Sequence, residues 1–207
     1  GWCVLGGCLL SYALAVVAMG ANPFWRFPLW LGGVSLVVIS LCSLYLMGGW
    51  RLALTLAFPI GFTLTMIPWP FAIESSMVTG MTRLVTVGVV EVLRLASYPA
   101  VQYGNIIQVG EATVGVEDAC SGIKSIQALF MLTLFVGVFW KLTLKSRIVL
   151  VILGIVLAGF FNLLRSVTLS LLVIEGGQEV FDEWHDGVGH IALFASIITV
   201  FLIASRF

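Results

Sequence analysis

Apolar residues occur along this chain in runs long enough to cross a membrane. A helix of about 20 residues covers the ~30 Å of hydrocarbon in a bilayer. Six runs approach this length, at residues 2–20, 29–47, 52–67, 122–140, 148–173 and 187–205. The third run is short and ends at Ile67, because Pro-Trp-Pro follows at 68–70. The pattern predicts an all-α fold, a polytopic transmembrane helix bundle in which residues 1–207 form a single transmembrane domain.

Residues 77–97 show a different periodicity. Arg83, Glu91 and Arg94 fall within about 80° of each other on a helical wheel. A helix with its charges on one face and apolar residues on the other is typical of the membrane interface. We therefore predict that this segment is an interfacial amphipathic helix, not a seventh span.

Residues 98–119 contain two stretches that favour β-structure. Residues 105–109 and 113–116 are rich in β-branched side chains, and Gly110 and Glu111 separate them. The pattern predicts a small β-hairpin-like excursion outside the membrane.

Composition supports a membrane location. The chain is 60% hydrophobic and only 10% charged, which is too little polar surface to coat a soluble protein. Its 10 basic and 10 acidic residues balance, so no basic excess indicates nucleic acid, and membrane lipid is the expected surrounding. The sequence begins at Gly1, so we expect an upstream part to be missing.

The charged residues segregate between the two ends of the predicted spans. All ten acidic residues fall at one end, provided that 77–97 does not cross. The other end carries only basic residues, namely Arg51, Lys141, Lys145, Arg147 and Arg206. By the positive-inside rule the basic end is cytoplasmic, so the acidic residues between 174 and 186 are expected to lie in an outer loop. This predicts a multi-pass protein of the cytoplasmic (inner) membrane, with Glu-Asp-Ala-Cys-Ser-Gly-Ile-Lys at 117–124 on the outer side.

Cys120 differs in setting from the other three cysteines. We expect it in the first turn of a helix that Asp118 or Ser121 caps. The positive helix start and Lys124, four residues on, both favour the thiolate, whereas Glu117 and Asp118 oppose it. A structural role at the helix start is the alternative. The other cysteines lie in predicted spans, where a thiol packs as a small apolar group: Cys3, Cys8 and Cys42.

Arg165 is unusual because it lies within a predicted span. Counted from Arg147 at about 1.5 Å per residue, it stands about 27 Å higher, near the outer boundary. Asn162 precedes it by three residues and shares its face. A guanidinium within a span normally faces a polar interior or has a function. Snorkelling, or an ion pair with Glu175, is the alternative.

The last span begins with Trp-His-Asp-Gly-Val-Gly-His at 184–190. His185 has Asp182 and Asp186 beside it, and either carboxylate can hold its tautomer. Gly189, four residues on, can let another helix approach closely. A lone histidine is usually structural, but His185 lies at the same predicted depth as Cys120 and Arg165.

These three side chains, from three spans, suit acyl transfer. A thiolate attacks a carbonyl carbon, an imidazole moves the proton, and a guanidinium stabilises the oxyanion or orients the substrate. Zinc fits less well, because Cys120 and His185 supply two ligands where three or four are usual. We therefore expect neither a metal nor another cofactor.

Three motifs of this chain resemble the signature blocks of the exosortase and archaeosortase family. They are Cys-Ser-Gly-Ile-Lys-Ser at 120–125, Asn-Leu-Leu-Arg at 162–165 and His-Asp-Gly-Val-Gly at 185–189. Their order, spacing and predicted outer placement are also similar. The resemblance covers roughly residues 74–207, which would be the catalytic region, whereas residues 1–70 show only generic spans.

The resemblance implies a membrane cysteine transpeptidase with sortase-like chemistry. Its partners would be secreted proteins that end in a short motif, a hydrophobic helix and a basic tail. The enzyme would cut near the motif and pass the acyl group to a surface acceptor. Cys120 would be the nucleophile, Arg165 the cation and His185 the general acid and base. Ser121, Gly122 and Asn162 match motif positions and would have supporting roles. Further substrate-binding or supporting candidates, from their sequence setting, are Lys124, Asp182, Asp186 and Gly189. Family members often have more spans than the six predicted here.

Two other classes of protein remain open. A small membrane transporter or channel subunit would line a pathway with Arg165 and the outer acids, but the inner halves of the spans carry few polar residues. A non-catalytic chaperone that grips tail helices would need no reactive thiol. Within the enzyme class, hydrolysis instead of transfer is also open.

Overall fold

The computed structural model describes residues 2–22, 24–110, 112–115 and 122–207. Contacts divide the chain into two compact units, residues 1–74 and 75–207. The helices are α1 (Trp2–Ala21), α2 (Arg26–Phe62), α3 (Phe71–Leu95), α4 (Ile123–Phe139) and α5 (Leu144–Ala204), and the strands are β1 (Ala100–Tyr103), β2 (Ile106–Val109) and β3 (Ala112–Gly115). The predicted all-α class with a small β excursion is confirmed.

Helix α2 of the first unit is a hairpin of two antiparallel limbs. It reverses at Gly49, whose φ of 71° and ψ of −170° lie in a region that glycine alone adopts readily. Beyond α2 the chain stays against the first limb, because Trp30 Nε1 donates a hydrogen bond to the Pro68 carbonyl over 2.9 Å. Gly33 packs directly against Ile67. The limbs match the predicted spans 29–47 and 52–67, and the helix ends before Pro-Trp-Pro as expected.

Small residues join α1 to α2. Ala15 is 1% exposed, and it lies 3.5 Å from the position that a Cβ on Gly32 would occupy. The hydroxyls of Ser11 and Ser35 are hydrogen-bonded at 2.6 Å. These contacts let the two helix backbones approach closely, as is typical of helix packing in membranes.

Helix α5 of the second unit is also a hairpin. It reverses at Gly177, with φ of 78° and ψ of −173°. Leu150 on the first limb and Val200 on the second are fully buried in one cluster with Leu129 of α4. The predicted spans 148–173 and 187–205 are thus confirmed as limbs. The outer loop expected between them is not present, because the chain is helical on both sides of Gly177 and carries its acidic residues on those helices.

Helix α3 packs its apolar face against the sheet and the first limb of α5. Val85, Val89 and Leu93 are buried in one cluster with Ile107 of β2 and Val173 of α5. The charged side lies opposite, where Arg94 pairs with Glu91 at 3.1 Å. The amphipathic helix is confirmed, but it begins at Phe71 and is long and apolar enough to cross a membrane. Its interfacial position stays a prediction.

The excursion is a three-stranded antiparallel sheet in the order β1-β2-β3. The predicted hairpin corresponds to β2 and β3, with Ile107 opposite Val114. Strand β1 adds to it, with Gln102 opposite Ile107. The sequence pattern did not predict β1, because Ala-Val-Gln-Tyr is short and lacks a β-branched run.

Four helical stretches of the described chain are long and apolar enough to span a membrane, and α4 is a shorter apolar helix. Two of the four, α2 and α5, contain two limbs each. The six predicted spans therefore correspond to α1, the limbs of α2, α4 and the limbs of α5. The chain is a multi-pass membrane protein.

Candidate active site

The predicted nucleophile lies outside the described residues. Positions 116–121 contain Cys120 and Ser121, and also Glu117 and Asp118. The neighbouring helix α4 begins at Ile123, with Gly122 as its N-cap and no side-chain cap. Asp118 and Ser121, the two predicted caps, lie outside the described residues as well, so the cap and the first-turn position of Cys120 stay predictions.

Gly122 connects the first motif to the second. Its φ is 80°, and a Cβ built on it would lie 2.6 Å from the Cγ of Asn162. No side chain fits in that space, so the Gly122 backbone lies directly on the Asn162 amide. Asn162 is 3% exposed. The start of α4 is thus held one helical turn from Arg165.

Arg165 and His185 meet across the α5 hairpin. Arg165 Nη2 and His185 Nε2 are 2.9 Å apart, with Arg165 on the first limb and His185 on the second. The His185 side chain is 27% exposed. The reversal at Gly177 brings together two residues that are far apart along a continuous helix. The ion pair of Arg165 with Glu175, considered above, is not the contact that Arg165 makes here.

Of the two candidate carboxylates, Asp186 is the one hydrogen-bonded to His185. Its Oδ1 lies 3.1 Å from His185 Nδ1, and its side chain is 89% exposed. Asp182 instead accepts a hydrogen bond from Gln178 Nε2 at 3.2 Å. Lys124 is exposed on α4.

Gly189 forms the surface under the guanidinium of Arg165. A Cβ built on Gly189 would lie 3.3 Å from Arg165 Nε and 3.5 Å from Cζ. We expected this glycine to admit another helix, but the group that lies against it is the Arg165 side chain. The glycine therefore leaves the space that the guanidinium occupies beside His185.

Two features of the site escaped the sequence analysis. The Phe181 ring packs against His185, with centroids 5.3 Å apart, and its position one turn before His185 was the available signal. Arg165 Nε is buried and donates to no acceptor among the described residues. Part of the donor capacity of the guanidinium is thus uncommitted, as in a group that awaits an acceptor.

Within the described part of the chain, no three metal-binding side chains converge.

The comparison with protein families identifies the chain. The family model described as transmembrane exosortase (Exosortase_EpsH) matches residues 1–203. The chain belongs to the exosortase family. The match includes the first 70 residues, in which the sequence showed only generic spans. Comparisons with curated proteins and with solved structures gave no match.

Proposed function

We propose that this exosortase-family protein is a cysteine transpeptidase of the cytoplasmic membrane. It cleaves the C-terminal sorting signals of secreted proteins at the outer face and transfers the acyl group to a surface acceptor. The observation that carries the proposal is the contact of Arg165 with His185 at 2.9 Å. Gly122, which follows Cys120 by two residues, lies against Asn162 beside this pair.

Chain connectivity keeps the thiol near this pair. Two trans peptide units span at most about 7 Å, so the Cα of Cys120 lies within about that distance of the Cα of Gly122. Asn162, which contacts Gly122, is separated from Arg165 by about 4.5 Å of helix rise. In the proposed complex, the cysteine side chain and the bound peptide group of the substrate would bridge the remaining gap.

The reaction then proceeds through a thioester. His185 accepts the proton of the Cys120 thiol, and the sulfur attacks the scissile carbonyl carbon while Arg165 binds the developing oxyanion. The C–N bond breaks as His185 returns the proton to the leaving amine. The acceptor nucleophile next gives its proton to His185 and attacks the thioester, and the C–S bond breaks to restore the thiol.

The membrane gives this chemistry its specificity. A substrate whose tail helix lies in the same bilayer is confined to two dimensions and held at a fixed depth. Its cleavage motif therefore meets the site at high effective concentration. Limited water at the site favours transfer to a bound acceptor over hydrolysis.

The second unit offers no support for a transport function. Below the site, its centre is filled by a cluster that contains Leu129, Leu150 and Val200. The buried hydroxyls of Thr133 and Ser196 donate to carbonyls of their own helices, at 2.8 Å and 2.6 Å. A hydrated pathway would need polar groups that face each other through this depth.

Mass spectrometry of a tailed secreted protein, co-expressed with the chain, tests the proposal. We expect cleavage with the native sequence and none with Cys120→Ala, because the thioester cannot form. Cys42→Ala is the matched control, since this thiol lies in an apolar hairpin and should leave cleavage unchanged. The new C-terminal mass reports the cut site and the acceptor. Full cleavage by a folded Cys120→Ala variant would refute the proposal.

A further inference from the structure

Both ring nitrogens of His185 contact groups whose hydrogen-bonding roles are fixed. A guanidinium has only donors, so in its 2.9 Å contact with Arg165 Nη2 the Nε2 of His185 must accept. A neutral imidazole that accepts at Nε2 carries its proton on Nδ1. Asp186 Oδ1, 3.1 Å from Nδ1, accepts that proton. The geometry therefore selects the neutral Nδ1–H tautomer.

We propose that Arg165 holds the Nε2 lone pair of His185 until a substrate oxygen draws the guanidinium away, and that Asp186 is the positioning residue that keeps the proton on Nδ1. This inference rests on the proposed function and concerns the order of events at the same site. It makes the resting site inactive as a base.

The reason is that Nε2 has a single lone pair. As a base, His185 must use this lone pair to take the proton of the Cys120 thiol, but Arg165 already donates to it. The thiol and the guanidinium therefore compete for one acceptor. When the substrate carbonyl accepts from Arg165, Nε2 becomes available at the moment the electrophile arrives. Base activation is thus coupled to substrate binding.

The surroundings of Arg165 permit this exchange. Its Nε is buried and has no acceptor among the residues that the structure describes, so a carbonyl oxygen that binds there supplies a new hydrogen bond in place of the one that Nη2 makes to His185. On the other side, Gly189 has no side chain to fix the guanidinium in place. Asp186 remains on Nδ1 after the exchange and stabilises the imidazolium that forms.

The tautomer can be measured directly. The chain has two histidines, so His190→Gln leaves His185 as the only one for ¹⁵N-histidine labelling and two-bond ¹H–¹⁵N correlation spectra. We expect the Nδ1–H pattern in this background. An Nε2–H pattern would overturn the proposal.

A matched pair of variants then isolates Asp186. In the same background, Arg165→Met with Asp186→Ala removes both contacts, and we expect the Nδ1–H preference to be lost. Arg165→Met with Asp182→Ala removes a carboxylate one turn away and should keep the Nδ1–H pattern. Equal spectra for the two double variants would show that Asp186 does not position the proton.

The competition for Nε2 is tested by alkylation of the thiol with iodoacetamide, in a chain whose other three cysteines are Ala. Loss of the Arg165 charge by itself alters the rate, so the effect of Arg165→Met is compared in the native and His185→Gln backgrounds. Each background gives one factor, the alkylation rate with Arg165→Met divided by the rate without it. We expect the factor in the native background to exceed the factor in the His185→Gln background by about fivefold or more, as for two residues whose interactions are coupled. Arg165→Lys serves as a second variant where Arg165→Met fails to fold. If the factor in the native background is equal to or smaller than the factor in the His185→Gln background, the proposal is overturned.

Neither measurement uses a substrate. A chain that shows the tautomer and the coupling but never cleaves would refute the proposed function and leave the inference standing. A chain that cleaves but shows an Nε2–H tautomer would refute the inference alone.

Discussion

The two hairpins of this protein use the same backbone reversal for different purposes. Gly49 in α2 and Gly177 in α5 have nearly equal dihedral angles, with φ of 71° and 78° and ψ of −170° and −173°. The cavity between the α2 limbs is lined by apolar and aromatic side chains, among them Val38 and Ala57. Near its reversal, the α5 hairpin instead places Arg165 against His185. The backbone thus sets which positions face each other, and the side chains decide whether these positions form an apolar or a polar contact.

The polar pair and the apolar residues of the α5 hairpin lie in different parts of its two limbs. The polar pair lies in the half of each limb that is closer to the reversal, whereas the far halves contain fully buried apolar residues such as Leu150 and Val200. A charged side chain at the centre of a bilayer costs about 2.5–3.5 kcal/mol on insertion scales, and the cost falls towards the interface. With the Gly177 end at the outer interface, as the proposed function requires, a charged residue in this half of the hairpin costs less than one at the bilayer centre.

Gly122→Ala should have the largest effect on the α5 hairpin, because this glycine packs the start of α4 against the first limb. The new Cβ would meet the Asn162 amide at 2.6 Å. A shift of about 1 Å between the thiol and Arg165 is enough to lower cleavage about 100-fold. Gly104→Ala is the control, since its φ of 63° is also positive but no atom lies within 4 Å. Equal cleavage rates in the two variants would argue against a role for the Gly122–Asn162 contact.

The two reversals themselves give the next test. Gly49→Ala and Gly177→Ala meet no atom within 4 Å, so each should lower the free energy of unfolding by about 1–3 kcal/mol through backbone strain alone. Only Gly177→Ala should also slow cleavage, by about tenfold, because it disturbs the meeting of Arg165 and His185. Thermal unfolding and the cleavage assay report the two effects separately. An equal loss of activity in both variants would show that cleavage depends on both hairpins and not on the α5 hairpin alone.

The smallest effect is expected at Gly189. A methyl group there would lie 3.3 Å from Arg165 Nε, so the guanidinium must move by a few tenths of an ångström. We expect cleavage to slow roughly two- to fivefold, a small misplacement of a catalytic group. Gly187→Ala, two residues away on the same helix, meets nothing within 4 Å and should have no effect. The idea fails if Gly187→Ala slows the reaction as much.

Local sequence signals were sufficient where one interaction dominates. The spans follow from the length of the apolar runs, and Pro-Trp-Pro at 68–70 predicted the end of the third. The sequence signals failed where local conformation competes with packing. No pattern within the segment predicted the left-handed conformation of Gly122, which packs its backbone on the Asn162 amide. The segment 174–186 carries enough charge to predict a loop, yet it is helical except at Gly177.

By itself, the sequence determined the class of the protein, its spans and the residue types available for chemistry, because hydrophobic length and the cost of buried charge act locally. Only the tertiary structure decided that Arg165 contacts His185 and that Asp186, not Asp182, bonds the other ring nitrogen. Both choices depend on how one helical limb faces another across a single glycine. Such a relative placement arises from contacts between segments, which no periodicity within one segment encodes.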